Sequence, residues 1–153
     1  MNREIEFRGK LSHSGEWVFG GLLKIDNKYH IVTESDMYED GHHICQESDT
    51  PTWVDPDTVG QFTGMTDKKD AKIYDGDILF VEFADKSGGY QLVGWNEKTA
   101  SWGIMDAYSY QSIKEGCDFA EFKNYVLLAF LEKAIVFEVV GNIYNNPELL
   151  SIK

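Results

Sequence analysis

The sequence predicts one mainly β domain with a single accessory helix near residues 118–133. Three observations predict it. Aromatic residues make up 14% of the chain (four Trp, eight Tyr and nine Phe), and such side chains favour pleated, half-buried surfaces. Fourteen glycines against three prolines suit a chain with many turns. Short alternations of apolar and polar residues, separated by polar turn signals, run through most of the length. At 153 residues the chain has the usual size of one domain and enough length to bury a core, so 1–153 reads as a single domain.

Taken in order, Arg3–Arg8 (REIEFR) sets Ile5 and Phe7 between charged residues and reads as a first strand. Gly9–Gly15 is a turn region. Trp17–Phe19 is a second short strand ended by Gly20-Gly21, and Leu22–Ile25 a third. Asp26-Asn27-Lys28 makes a turn, and Tyr29–Thr33 a fourth strand. This succession is the pattern of an antiparallel meander. Residues 34–56 are the least regular, with one short strand expected around His43–Gln46. Pro51 and Pro56 flank an extended edge segment whose Trp53 packs inward.

Thr58–Phe83 is the most informative stretch. Val59, Gln61, Thr63 and Met65 alternate with Gly60, Phe62, Gly64 and Thr66, as in a strand with two unequal faces. Asp67-Lys68-Lys69-Asp70 suits a hairpin tip in water. Asp75-Gly76 is a strong turn signal, because glycine takes positive φ without steric cost. The apolar run Ile78–Phe83 then reads as a buried strand. A hairpin follows, with Tyr90–Trp95 and Ser101–Met105 as its arms and Asn96–Thr99 as its turn. Residues 106–116 fit strand or loop. Asp118 and Glu121 form a box-like helix start, and Phe119, Phe122, Val126 and Phe130 recur at helical spacing up to Lys133. A last strand occupies 135–143 before Asn145-Asn146-Pro147, and Glu148–Leu150 closes the chain. Gly76-Asp77-Ile78 and Gly141-Asn142-Ile143 repeat a short pattern and suggest two equivalent turn-to-strand positions.

Charge narrows the partners. Fourteen basic against 26 acidic residues give a net charge of −12, which argues against direct nucleic-acid binding and against an anionic membrane. From Tyr29 to Asp67 there is no Lys or Arg, while Glu34, Asp36, Glu39, Asp40, Glu47, Asp49, Asp55, Asp57 and Asp67 fall there. The plain reading is a solvated acidic flank. The alternative is that the acidic 34–57 region mimics nucleic acid and occupies a protein that binds it. There is no secretory signal and no apolar run long enough to span a bilayer. Cys45 and Cys117 read most simply as reduced thiols in a cytoplasmic protein.

Catalytic and metal chemistry find little purchase. His42, His43 and Cys45, with Asp40 and Glu47 nearby, are the sharpest metal candidates, since imidazole and thiolate are good zinc ligands. On a strand, however, His42 points away from His43 and Cys45, and a fourth ligand must come from Cys117 or His30. A thiol nucleophile would pair Cys45 or Cys117 with His13 or His30, and nothing local activates either thiol. Asp75 and Asp77 are paired carboxylates, but their positions around Gly76 suit turn and backbone bonding better than acid–base work. Trp17, Trp53, Trp95 and Trp102 read as core or interface rather than as a sugar platform. No catalytic, metal or cofactor residue set is therefore expected.

The segments REIEFR, EWVFGGLL, VGQFTGMTDK, IYDGDI and VVGNIYNNPELL occur in this order from Arg3 to Leu150. Together they resemble the YopX family of phage and prophage proteins, over essentially the whole chain. Gly60–Gly64, Asp67-Lys68, Ile73–Ile78 and Gly141–Tyr144 carry the resemblance; 34–50 and 106–120 add least. It implies a mainly β, SH3-like small barrel of bent strands and brings no catalytic residue set. The resulting expectation is a cytoplasmic, non-enzymatic accessory protein in a bacterial host that binds protein or itself, as a homo-oligomer. The alternatives are a small metal-dependent enzyme using His42, His43 and Cys45, or the acidic mimic.

Overall fold

The computed structural model describes residues 4–33, 53–115 and 127–151. The chain divides into two compact units, Met1–Phe62 and Thr63–Lys153. Both are predominantly antiparallel β structure, as the alternation predicts.

The first unit holds β1 (Phe7–Lys10), β2 (Trp17–Ile25), β3 (Lys28–Val32), β4 (Trp53–Val54) and the start of β5 (Gly60–Thr66). Their hydrogen-bonded order is β4-β3-β2-β1-β5. The meander expectation holds for β1 to β3, but the second and third predicted strands are one. Gly20-Gly21 does not end β2; it is where β2 changes partner. Trp17–Gly20 pairs with β1 and Gly21–Ile25 with β3. A Cβ on Gly20 would lie 2.0 Å from the carbonyl oxygen of Val32, so only glycine lets the strand pass this point. At the far end Asp26 and Asn27 both take positive φ (48° and 63°), which is the two-residue hairpin turn that matches strand twist. Ile31, Val54 and Phe62 of this unit are buried.

The expected barrel is not closed. Among the described residues β4 comprises Trp53–Val54. It pairs with β3 and meets the end of β1 through a single bridge, Leu11 to Val54. Two bonds reinforce that bridge: Ser12 N–H to Trp53 O (2.9 Å) and Asp55 N–H to Lys10 O (2.8 Å).

The second unit contains the rest of β5, then β6 (Lys72–Tyr74), β7 (Asp77–Glu82), β8 (Gly88–Asn96), β9 (Ser101–Asp106), α1 (Ala107–Lys114), α2 (Leu127–Leu131) and β10 (Val136–Asn142). Four strands form an antiparallel sheet in the order β10-β7-β8-β9. The predicted buried strand is β7, where Ile78, Leu79 and Val81 are wholly inaccessible. Alternation sends these side chains to two cores. Ile78 joins Leu92, Met105 and Leu150, while Leu79 and Val81 join Ile73, Val93, Ile104, Leu127, Leu131 and Ala134.

Helix α1 occupies residues that read as strand or loop. Its start is local chemistry: the Asp106 side chain accepts the Ser109 N–H at 2.8 Å, a standard N-cap. It lays Ala107 and Tyr110 on the Leu150 core. Of the helix expected at 118–133, Leu127–Leu131 is helical, with both ends buried four residues apart. Phe130 stacks edge-on against Phe83 at 5.1 Å. Residues 118–126 of that span lie outside the described residues, as does the strand expected at 43–46. No helix among the described residues is long and apolar enough to cross a membrane.

Candidate interaction surface

His42, His43, Cys45 and Cys117 lie outside the described residues, and so does most of the acidic 34–57 region. Among the described residues no group of three or more His, Cys, Asp or Glu is placed to hold a metal. His13 is exposed in the turn between β1 and β2, whereas His30 is buried on β3.

The motif residues are largely taken up by backbone bonding. Asp77 is 1% exposed, and its Oδ2 accepts the Tyr74 N–H at 2.8 Å. Gly76, at φ +80°, donates its N–H to Val93 O (3.0 Å) and accepts the Ile143 N–H (2.9 Å). The two short repeats therefore do not occupy equivalent positions in separate turns. They are direct antiparallel partners, with Gly141 opposite Ile78 and Asn142 opposite Asp77. Asn142 Oδ1 accepts the N–H groups of Tyr144 (3.1 Å) and Asn145 (3.0 Å). In β5 the Thr63 hydroxyl donates to Ile73 O at 2.8 Å.

Asp67, expected in water at a hairpin tip, is instead buried. Its carboxylate accepts three backbone N–H groups, from Lys69 (2.7 Å), Ala71 (2.9 Å) and Val139 (2.9 Å). Burial alone would push its pKa up. The three N–H donors and the Lys69 ammonium outweigh burial and hold the carboxyl below its ordinary range. Lys69 in turn pairs with Glu138 on β10.

Among the described residues, one side of the first unit carries a row of exposed apolar side chains. Trp17, Phe19, Leu23 and Ile25 alternate along one side of β2, and Phe19, Leu23 and Ile25 are 47%, 38% and 45% exposed. Cross-strand pairing sets Lys10 opposite Trp17, Arg8 opposite Phe19, His30 opposite Leu23 and Lys28 opposite Ile25. Trp53 on β4 extends the row beyond His30. Cations lie on the indole faces: Arg8 over Trp17 at 4.8 Å, Lys10 over Trp17 at 5.5 Å, and Lys28 over Trp53 at 4.6 Å. The His30 ring packs on Trp53 with centroids 3.4 Å apart. Burial, and secondarily the Lys28 charge, hold the His30 pKa below its ordinary value, so the ring is kept neutral. The side is thus apolar along β2, with the Lys10 and Lys28 ammonium groups at its margins and Arg8 and His30 buried within it. The sequence carried a signal for it: WVFGGLLKI is apolar at odd and even positions alike, more than one buried face requires.

A family model described as YopX protein matches residues 6–151. Among solved structures, the crystal structure of protein EF1440 from Enterococcus faecalis is similar, at 17% sequence identity and a TM-score of 0.48, over 98% of this chain and 100% of that one. No curated protein matches the chain.

Proposed function

The chain belongs to the YopX family, and from that premise we propose that it is a non-enzymatic accessory protein of phage or prophage origin that binds protein, a second copy of itself included. The observation that carries this reading is the row of Phe19, Leu23 and Ile25 on one strand, three large apolar side chains each more than a third exposed. Exposed apolar rows with aromatic and basic neighbours have the composition of interface centres rather than of ordinary surface. The motif residues support the non-enzymatic part. The side chains of Asp67, Asp77, Thr63 and Asn142 bond to backbone groups, a structural use for the residues that carry the family resemblance.

Light scattering on the full chain, from dilute to concentrated solution, tests the self-binding part. The expected result is an average mass that rises with concentration, and loss of that rise when Phe19 and Ile25 are both changed to Ser. A mass that stays at one chain throughout removes self-association from the reading.

A further inference from the structure

Resting on the self-association in that reading, we propose that the second copy is taken up at the open edge of β2, residues 21–25, by antiparallel strand pairing centred on Leu23. β1 pairs with β2 only at Trp17–Gly20, and β3 takes the other side of Gly21–Ile25. Among the described residues no strand or other backbone group bonds to the remaining edge of 21–25. Such an edge is a template for another strand.

The hairpin defines which groups face outward. A two-residue turn makes its flanking residues, here Ile25 and Lys28, a pair that exchanges both hydrogen bonds. Such pairs alternate along an antiparallel ladder. Gly21, Leu23 and Ile25 therefore direct their N–H and C=O groups to β3, and Leu22 and Lys24 direct theirs outward. With Leu23 on a two-fold axis, Leu22 of one copy lies opposite Lys24 of the other. Both outward-facing residues then exchange bonds, four in all by this geometry.

The side chains accept the same register. Leu23 meets Leu23 of the second copy, and Ile25 lies opposite Gly21. A Cβ on Gly21 would meet nothing nearer than the Val32 carbonyl oxygen at 4.0 Å, so there is room for the larger partner. A slip to Lys24 sets two ammonium groups face to face, which is destabilising. A slip to Leu22 needs a residue beyond Gly21, and the edge at Gly20 already belongs to Phe7. The pairing is isologous and closes on itself.

Five residues span about 17 Å of edge. That is less contact than the roughly 1,600 Å² of a standard stable interface, so the dimer dissociates on dilution. Each copy carries a net charge of −12, so added salt strengthens it by screening repulsion. Binding driven by opposite charges responds in the other direction.

The test uses the full chain in sedimentation equilibrium at low and high salt. Lys24→Pro removes an outward N–H without touching the ladder to β3, and Leu23→Lys sets two charges at the axis. Each is expected to weaken the dimer by about tenfold or more. Should Lys24→Pro not fold, Leu23→Lys and a crosslink decide. With Cys45 and Cys117 changed to Ser, Leu23→Cys is expected to form a disulfide dimer under mild oxidation, since facing residues at such a position suit disulfide geometry. Ile113→Cys, at a residue of similar exposure on α1, is expected to stay monomeric. A wild-type dimer that Leu23→Lys leaves intact, with no Leu23→Cys crosslink, overturns edge pairing and leaves self-association standing through another surface. A wild-type monomer at every concentration and salt overturns both.

Discussion

The carboxylate of Asp67 accepts the backbone N–H of Val139 at 2.9 Å, across 72 residues of sequence. Beside it, the Lys68 N–H reaches Phe137 O at 3.3 Å. The turn after β5 is thereby fastened to β10, at the edge of the four-stranded sheet. Asp67→Ala leaves three partly buried N–H groups without their acceptor, and the expected loss is about 2 kcal/mol. Asp67→Asn keeps one acceptor oxygen and turns an amide donor on one of those groups, so its loss is expected to be intermediate. Urea denaturation measures both, with a lower midpoint and an unchanged slope.

Acid dependence follows from the same carboxylate. Its pKa is depressed in the folded chain, so the unfolded chain takes up the proton first as pH falls. The stabilisation is complete above the ordinary carboxylate value of about 4 and is lost as pH falls below it through the folded value. Thermal melts of wild type and Asp67→Asn are expected to converge at the acid end. Curves that stay parallel there would deny Asp67 this role.

His30 acts in a higher window with the same sign. Its folded pKa lies below the ordinary 6.5 because burial, aided by Lys28, disfavours the charged ring. Its contribution is complete above 6.5 and falls away as pH drops below that value toward the folded one. His30→Phe keeps a ring against Trp53 and removes the titration. Its stability is expected to change less than that of wild type between about pH 7 and pH 5.

Gly76 sits at φ +80°, and a Cβ there would lie 3.1 Å from the Tyr144 ring. Gly76→Ala therefore combines an unfavourable backbone region with a tight contact. The expected cost is about 2 kcal/mol, read as a lower melting temperature. Pairing it with Tyr144→Ala should recover the contact part and leave the backbone part, which a double-mutant cycle separates.

Leu150 lies three residues from the end of the sequence and is wholly inaccessible, packed with Ile78, Leu92 and Met105. Leu150→Ala is expected to cost about 3 kcal/mol, the usual range for a buried leucine. A loss below about 0.5 kcal/mol would mean that this end contributes no core.

The candidate surface was legible in part. WVFGGLLKI advertised apolar side chains on both sides, but which side faces water depends on what covers the other. Ile31 and Val54, on the strands beyond β2, are buried, and no spacing rule in β2 foretells that burial. His30 looked like a stray ligand candidate. Its neighbours, Leu23 and Trp53, come from strands on either side of it. Asp67 had the local chemistry of an exposed tip, and Val139 was too distant in sequence to suggest otherwise.

The sequence by itself determined the β class, most of the turns, the buried strand β7 and the family. These rest on rules that act within a few residues: period-two alternation, glycine at positive φ, and apolar runs between polar breaks. Only the tertiary structure decided that β2 is one strand with two partners, that the barrel is left open, that 107–114 is a helix, and that the Gly-Asp-Ile and Gly-Asn-Ile segments face each other. Each depends on which strand lies alongside. That choice is made by burial and hydrogen bonding summed over groups far apart in the chain, to which local pattern is blind.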